Sequence, residues 1–169
     1  MIGAMDQIDV IVEIPRGSRN KYELDHATGR IKLDRRLFSA TVYPAEYGFV
    51  DRTLGEDGDP LDALVVLDEP TFPGCLIRCR PVGVFWMTDD AGPDAKIICV
   101  VAGDPRWDHV QDIGDLPDHL TKEIEHFFMI YKALEPGKWA DTRGFQGAEE
   151  ARVEIASSLQ RAIDTGYHT

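Results

Sequence analysis

Residues 56–67 read EDGDPLDALVVL, an acidic bend that runs directly into an apolar run. Asp57, Asp59 and Asp62 fall within six positions, separated by Gly58, Pro60 and Leu61. Two carboxylates about 5 Å apart repel by roughly 3 kcal/mol at an effective dielectric of 20. A fold can carry that charge by solvating it, by raising a pKa, or by binding a cation. Gly58 permits backbone angles that other residues resist, and Pro60 fixes its own φ. The following Ala63–Leu67 run is rich in strand formers, so Asp62 sits at a strand start with Asp57 and Asp59 presented from the bend. A calcium-binding EF-hand loop would place a glutamate six residues after its glycine, but position 64 is Leu and Gly58 is followed by Asp-Pro. One rigid corner aiming oxygen ligands at a common point suits a hard cation such as Mg²⁺. Composition alone also fits a solvated turn with acidic decoration.

Outward from this corner, the first two-thirds of the chain reads as strands. Ile8, Val10, Val12 and Ile14 alternate with Asp9, Ile11 and Glu13 until Pro15, which turns Glu13 away from the Val12/Ile14 face. Tyr22–Leu24 and Ile31–Leu33 flank a turn at Ala27-Thr28-Gly29 and predict a hairpin. Leu76–Trp86 and Lys96–Val101 are further β-rich runs, joined by a polar turn over Thr88–Ala95. That connection, TDDAGPDAK, is a second acidic bend, with Asp89, Asp90, Asp94 and then Lys96. The last third changes period. Leu120, Ile124, Phe127, Phe128, Tyr131 and Leu134 predict a helix capped by Asp115, with Asp118 as capping-box partner and Gly137 as its stop. A second helix fits Glu149–Ile163, with Ile155, Leu159 and Ile163 on one stripe. Strands followed by helices give an α+β class: one domain over 1–169, a small closed antiparallel β-barrel with two C-terminal helices packed outside.

The totals narrow the function. The chain has 169 residues and a net charge of −12, with 43% apolar and 28% charged residues. That balance argues against a nucleic-acid backbone as partner, which needs a basic face. Three cysteines, Cys75, Cys79 and Cys99, are too few for a disulfide framework and read as buried thiols in a reducing compartment. MIGAMDQIDV lacks the basic and apolar regions of a signal peptide, and Met1–Ala4 before a second methionine, Met5, read as a start-site extension. No apolar run approaches a membrane span, so the expectation is a cytoplasmic protein with no membrane or nucleic-acid partner.

Basic and phenolic residues are scattered among the strands: Lys21 and Tyr22, Arg35, Tyr43 and Tyr47, with Tyr131-Lys132 at the helix end. Alone, each is a surface charge or a packed ring. Together with two carboxylate bends they make a site for a polyanionic phosphate, metals neutralising one flank and cationic side chains the other.

Five stretches then carry a resemblance: VEIPRGSRNKYELDH (12–26), DRRLFSATVYPAEYGFV (34–50), GEDGDPLDALV (55–65), IRCRPVGVFWMTDDAGPDAK (77–96) and IEHFFMIYKALEPGKW (124–139). In this order and spacing the chain resembles the family I soluble inorganic pyrophosphatases, and GDPRWDHVQDI (103–113) is most similar to bacterial, actinobacterial members. The resemblance implies an OB-like barrel, a Mg²⁺-dependent hydrolysis of pyrophosphate to two orthophosphates, and a cytoplasmic homohexamer. It implies Asp57, Asp62 and Asp94 as ligands of tightly bound ions, Asp62 bridging two of them. Asp89 and Asp94 would hold a further ion, and Glu13 would reach the cluster directly or through water. Asp59 is the first choice for the base that takes the water's proton, with Asp94 the rival. Arg35, Tyr131 and Lys132 resemble contacts to the leaving phosphate, and Lys21, Tyr47 and Lys96 the remaining substrate contacts. Glu46 stands where the family pattern has Asp or Asn; His26 reads as a solvent-facing turn residue; Trp107 and His109 carry no assigned role. Two rival classes remain: a non-enzymatic β-barrel module binding phosphorylated ligands or oligonucleotides, and a metal-dependent hydrolase of nucleotide phosphates.

Overall fold

The computed structural model describes residues 5–168, so the start-site reading of Met1–Ala4 lies outside the described residues. Eight strands and two helices follow in order. They are β1 (Ile8–Ile14), β2 (Asn20–Asp25), β3 (Arg30–Arg36), β4 (Glu46–Val50), β5 (Asp62–Val66), β6 (Leu76–Asp89), β7 (Gly92–Val101), α1 (Asp118–Ile130), β8 (Ala140–Gly147) and α2 (Ala148–Thr165). β1, β4, β5, β7 and β6 pair in that order, and β6 pairs back with β1, which closes the ring. Four of these seams are antiparallel, but β5 and β7 run parallel, a departure from the all-antiparallel expectation. β8 adds outside the ring along β6, and β2 and β3 form a separate hairpin.

The expected alternation in β1 is observed: Ile8, Val10, Val12 and Ile14 are buried, and Glu13 lies on the other face. β5 and β7 carry apolar side chains on both faces, which is why their sequences read as unbroken runs. One face collects Val10, Val12, Val50, Ala63, Val65, Ile77, Cys79, Ile97 and Cys99 from all five ring strands, with Ala151 and Ile155 of α2 packed against them. The other face packs Leu64, Phe85, Met87, Ile98 and Val100 against Ile124, Phe127 and Phe128 of α1. The aromatic pair Phe127 and Phe128 therefore serves the core.

Several local expectations differ from the fold. Pro117, not Asp115, stands at the N-cap of α1. Asp115 instead closes a preceding 3-10 turn, accepting the N–H groups of Gln111 and Asp112 at 2.9 and 3.0 Å. The helix ends at Ile130, well before Gly137, so Leu134 falls on a turn and is 65% exposed. Ile163 is likewise outside the α2 stripe, 72% exposed. The polar turn expected over Thr88–Ala95 shrinks to Asp90-Ala91, because β6 and β7 keep pairing out to Asp89 opposite Gly92. Gly92, at φ +113°, supplies the left-handed backbone that so tight a hairpin needs. Cys79 and Cys99 are buried thiols as expected, Cys75 is half-buried, and all three are free. Among the described residues no helix is long and apolar enough to cross a membrane.

Candidate active site

The acidic corner is built as its sequence suggests. Gly58 takes φ +89°, and the Asp57 side chain accepts the Asp59 N–H at 3.0 Å. The Gly55 N–H reaches the Asp59 carbonyl at 2.6 Å, cinching the bend at its root. Thr53, Leu54, Gly55 and Pro60 are buried, while Glu56, Asp57, Gly58 and Asp59 form an exposed tip. Burial raises the Asp57 pKa, and the nearby charges of Asp94 and Asp59 add to the rise.

The second bend meets this corner through the parallel seam. Asp62 on β5 lies in register with Lys96 on β7. The Lys96 ammonium, 2% exposed, donates to Asp62 Oδ2 at 2.9 Å, Asp94 Oδ2 at 2.8 Å and the Tyr47 hydroxyl at 2.8 Å. It also lies 5.0 Å from the Tyr47 ring centre and 4.9 Å from that of Phe128. Burial opposes its charge, but the pull of Asp62 and Asp94 outweighs burial and holds its pKa well above the ordinary lysine value. Burial raises the Asp94 pKa, as do the Asp62 and Asp89 charges, against the opposing effect of Lys96. Glu13, from the off-face of β1, accepts the Leu24 N–H at 2.8 Å; burial, helped by the Asp62 charge, pushes it up to about 7. Burial and the Asp62 charge also push the Tyr47 phenol well above its usual range.

The other cations of the cleft are each held by an acid. Arg35 on β3 presents Nε and Nη2 to the Glu135 carboxylate at 2.9 and 3.0 Å, and Nη1 to Asp34 at 2.6 Å. Lys21 on β2 lies 3.2 Å from Asp34. Lys132, just past α1, bonds Asp89 at 2.8 Å and approaches Asp90 at 3.3 Å; Lys138 reaches Asp90 at 2.9 Å. Lys138 and Lys132 together hold the Asp90 pKa down at about 2. Tyr131 caps the α1 C-terminus and packs on Phe127 and Phe128, so its place on the apolar stripe and its place in the cleft coincide.

All twelve candidate residues line one cleft of about 670 Å³: Glu13, Lys21, Arg35, Tyr47, Asp57, Asp59, Asp62, Asp89, Asp94, Lys96, Tyr131 and Lys132. The same cleft holds ten carboxylates (Glu13, Glu23, Asp25, Asp57, Asp59, Asp62, Asp89, Asp90, Asp94, Glu135) against six cations (Lys21, Lys32, Arg35, Lys96, Lys132, Lys138). An acid-rich oxygen donor set in which Glu13, Asp57 and Asp94 have raised pKa values is chemistry that hard divalent cations relieve. Among the described residues no three acidic, His or Cys side chains converge tightly enough to grip a metal as they stand. Lys96 bonds Oδ2 of both Asp62 and Asp94, and the residues fit the cation group by donor chemistry.

The sequence model of the inorganic pyrophosphatase family matches residues 10–163. The chain belongs to the inorganic pyrophosphatase family. It is 60% identical to the inorganic pyrophosphatase of Streptomyces coelicolor over 162 residues, covering 96% of this chain and 99% of that protein. It is 61% identical to that of Leifsonia xyli, covering 96% and 100%. The crystal structure of the Thermus thermophilus inorganic pyrophosphatase superposes with a TM-score of 0.93 at 48% identity, covering 95% of this chain and 93% of that one. The resemblance to bacterial pyrophosphatases is thus borne out, and the barrel with two helices packed against it is the fold of solved family members.

Around this pyrophosphatase-family cleft, six residues outside the candidate set take part in the charge network: Glu23, Lys32, Asp34, Asp90, Glu135 and Lys138. Asp90 and Lys138 sit within quoted motifs, but neither spacing nor period marks them as partners across 48 positions. His26 is exposed, as a turn residue should be, yet it borders the cleft with its ring 5.3 Å from Phe49. Glu46 is buried in a structural role: it accepts the N–H of Arg16 and both the N–H and hydroxyl of Thr71, tying two loops to β4.

Proposed function

We propose that the chain hydrolyses pyrophosphate to two orthophosphates with Mg²⁺ as the divalent cation. One observation carries this reading: a single cleft gathers ten carboxylates and six lysine and arginine side chains, the charges that divalent cations and a small polyanion would match. Mg²⁺, when bound, supplies neutralisation of the phosphate oxygens and acidifies water near neutral pH. Asp57, Asp62 and Asp94, with Asp89 and Glu13, are the residues that would hold it. Asp59 stands on the exposed tip, and among the described residues nothing hydrogen-bonds to its carboxylate. That leaves it able to take a proton from the attacking water, ahead of Asp94, whose carboxylate is engaged by Lys96. Arg35 and Lys132, with the Tyr131 hydroxyl, would meet the charge that grows on the leaving phosphate, and Lys21 would hold the other end. Binding substrate then means exchanging Glu135, Asp34 and Asp89 for phosphate oxygens on those cations. Lys96 and Tyr47 act from the wall, where Lys96 orients Asp62 and Asp94.

We place the protein in the cytoplasm as a homohexamer. The free thiols support the first. Exposed apolar side chains including Phe38, Phe72 and Trp139 support the association of copies. The test incubates purified protein with pyrophosphate and Mg²⁺, with and without chelator, and measures orthophosphate. Release that stops with chelator is expected. No release in Mg²⁺ would leave a phosphate-binding module, and comparable release from a nucleoside triphosphate would indicate a nucleotide hydrolase.

A further inference from the structure

The acidic corner hangs on α2. Its four-residue exposed tip carries Asp57 and Asp59, so their positions depend on the buried root over residues 53–55. The Leu54 peptide in that root is held at both ends by one helix. Its N–H donates to the Ser158 carbonyl at 3.0 Å, and its carbonyl accepts from Arg161 Nη1 at 2.6 Å. Arg161 Nη2 also stands 3.9 Å from Glu56, the first residue of the tip. Arg161 lies 107 positions from Leu54, and none of the motifs that carry the family resemblance includes it. The helix itself is fixed to the barrel by Ala151 and Ile155. The root is tied to the tip by its backbone: the Gly55 N–H donates to the Asp59 carbonyl at 2.6 Å, and the Gly58 N–H to the Gly55 carbonyl at 3.2 Å. Displacement of the Leu54 peptide is therefore passed to the aspartates.

We propose that Arg161 is a positioning residue for the acidic corner, and that by clamping the Leu54 carbonyl it sets the corner's affinity for divalent cations. This rests on the cation-binding reading of the cleft. Its physical basis is that groups orienting a metal's carboxylates typically change metal affinity by 10- to 100-fold when removed. A buried carbonyl deprived of its donor also drives the peptide to rotate toward another partner or water.

The experiment is calorimetric titration of the full chain with Mn²⁺, without substrate, alongside thermal unfolding of the same samples. Arg161→Met is expected to weaken Mn²⁺ binding about tenfold, and Arg161→Lys, which keeps a charged donor, to recover part of the loss. Val110→Ala, which thins the core cluster packed on α1 rather than α2, is expected to lower the melting temperature and leave Mn²⁺ affinity unchanged. Should Arg161→Met not fold, Arg161→Gln takes its place and is read the same way. Mn²⁺ affinity equal to wild type in the methionine or glutamine variant overturns the proposal. So does an equal loss in Val110→Ala, which would make the effect one of general stability. A wild-type protein that binds no Mn²⁺ would instead overturn the cation reading of the cleft.

Discussion

Lys96 is the side chain whose removal most directly tests the electrostatics of the cleft. Its ammonium is almost fully buried, at 2.8–2.9 Å from two carboxylate oxygens and a phenol. Lys96→Met keeps the volume and the contact with the Phe128 ring but leaves Asp62 and Asp94 facing one another. Breaking a buried ion pair by deleting one partner costs about 3–5 kcal/mol. The uncovered repulsion of two carboxylates near 5 Å is itself roughly 3 kcal/mol at an effective dielectric of 20, so the two routes agree. The loss should depend on pH. Without Lys96 the carboxylate pair has a folded-state pKa raised above the unfolded value of about 3.9. A raised pKa stabilises the folded state at low pH, and that benefit is lost as pH rises through it. The deficit is therefore largest at pH 8 and smaller at pH 5. Urea unfolding in chelator, at one fixed protein concentration, reads it as a fall in midpoint, and saturating Mg²⁺ should restore the variant by more than it stabilises the wild type. A variant as stable as wild type at pH 8, or one with an identical deficit at pH 5, would refute the reasoning.

Three other outcomes follow from the same structure. Asp62→Asn should cut pyrophosphate hydrolysis by more than about a hundredfold with an unchanged circular dichroism spectrum; near-normal turnover would remove Asp62 from the cation site. In Gly48→Ala the new Cβ would stand 1.9 Å from the Ile11 carbonyl oxygen, a backbone atom that cannot step aside, so the β1–β4 seam must part at a cost of at least about 1–3 kcal/mol, visible as a lower urea midpoint. Asp115 has its pKa lowered by the Gln111 and Asp112 N–H groups, so it stabilises the fold above the unfolded carboxylate pKa and loses that effect as pH falls through its folded value. Asp115→Ala should accordingly lower the urea midpoint at pH 7, and the gap to wild type should narrow as the pH falls below the unfolded carboxylate value of about 3.9; a gap that widened in acid would contradict the assignment.

What the sequence showed and what it hid divide along chain distance. The acidic corner is legible because its causes are local: Gly58 and Pro60 shape the bend within the same seven residues that carry the charge. β1 is legible because period two with one buried face has few alternatives. β8 was not, since ADTRGFQG has two glycines and no apolar alternation; it becomes a strand because β6 extends far enough to pair with it, and Gly144, at φ +86°, takes up the register shift. The helix cap was misread because Asp115 has two good uses, and the tight turn over residues 111–115 claims it first.

The same division runs through the site. Each candidate residue lies in a quoted stretch, but the pairing that gives Lys96 its task is a register across a parallel seam, Asp62 opposite Lys96, that no local pattern encodes. Lys96 read from sequence is a contact for substrate; placed by the sheet, it already holds two of the carboxylates proposed as metal ligands. Arg35 is likewise occupied by Glu135, and Lys132 by Asp89. The cleft's cations are thus largely paired in the free protein. On the proposed reading, phosphate on Arg35 and Lys132 would displace Asp89 and free it for a cation, and a cation on Asp62 and Asp94 would weaken their hold on Lys96 and leave that ammonium for a new anion. Each arrival would then weaken the partner that opposed the other. This coupling should make pyrophosphate analogue affinity rise with Mg²⁺ concentration, and Mg²⁺ affinity rise by the same factor with the analogue.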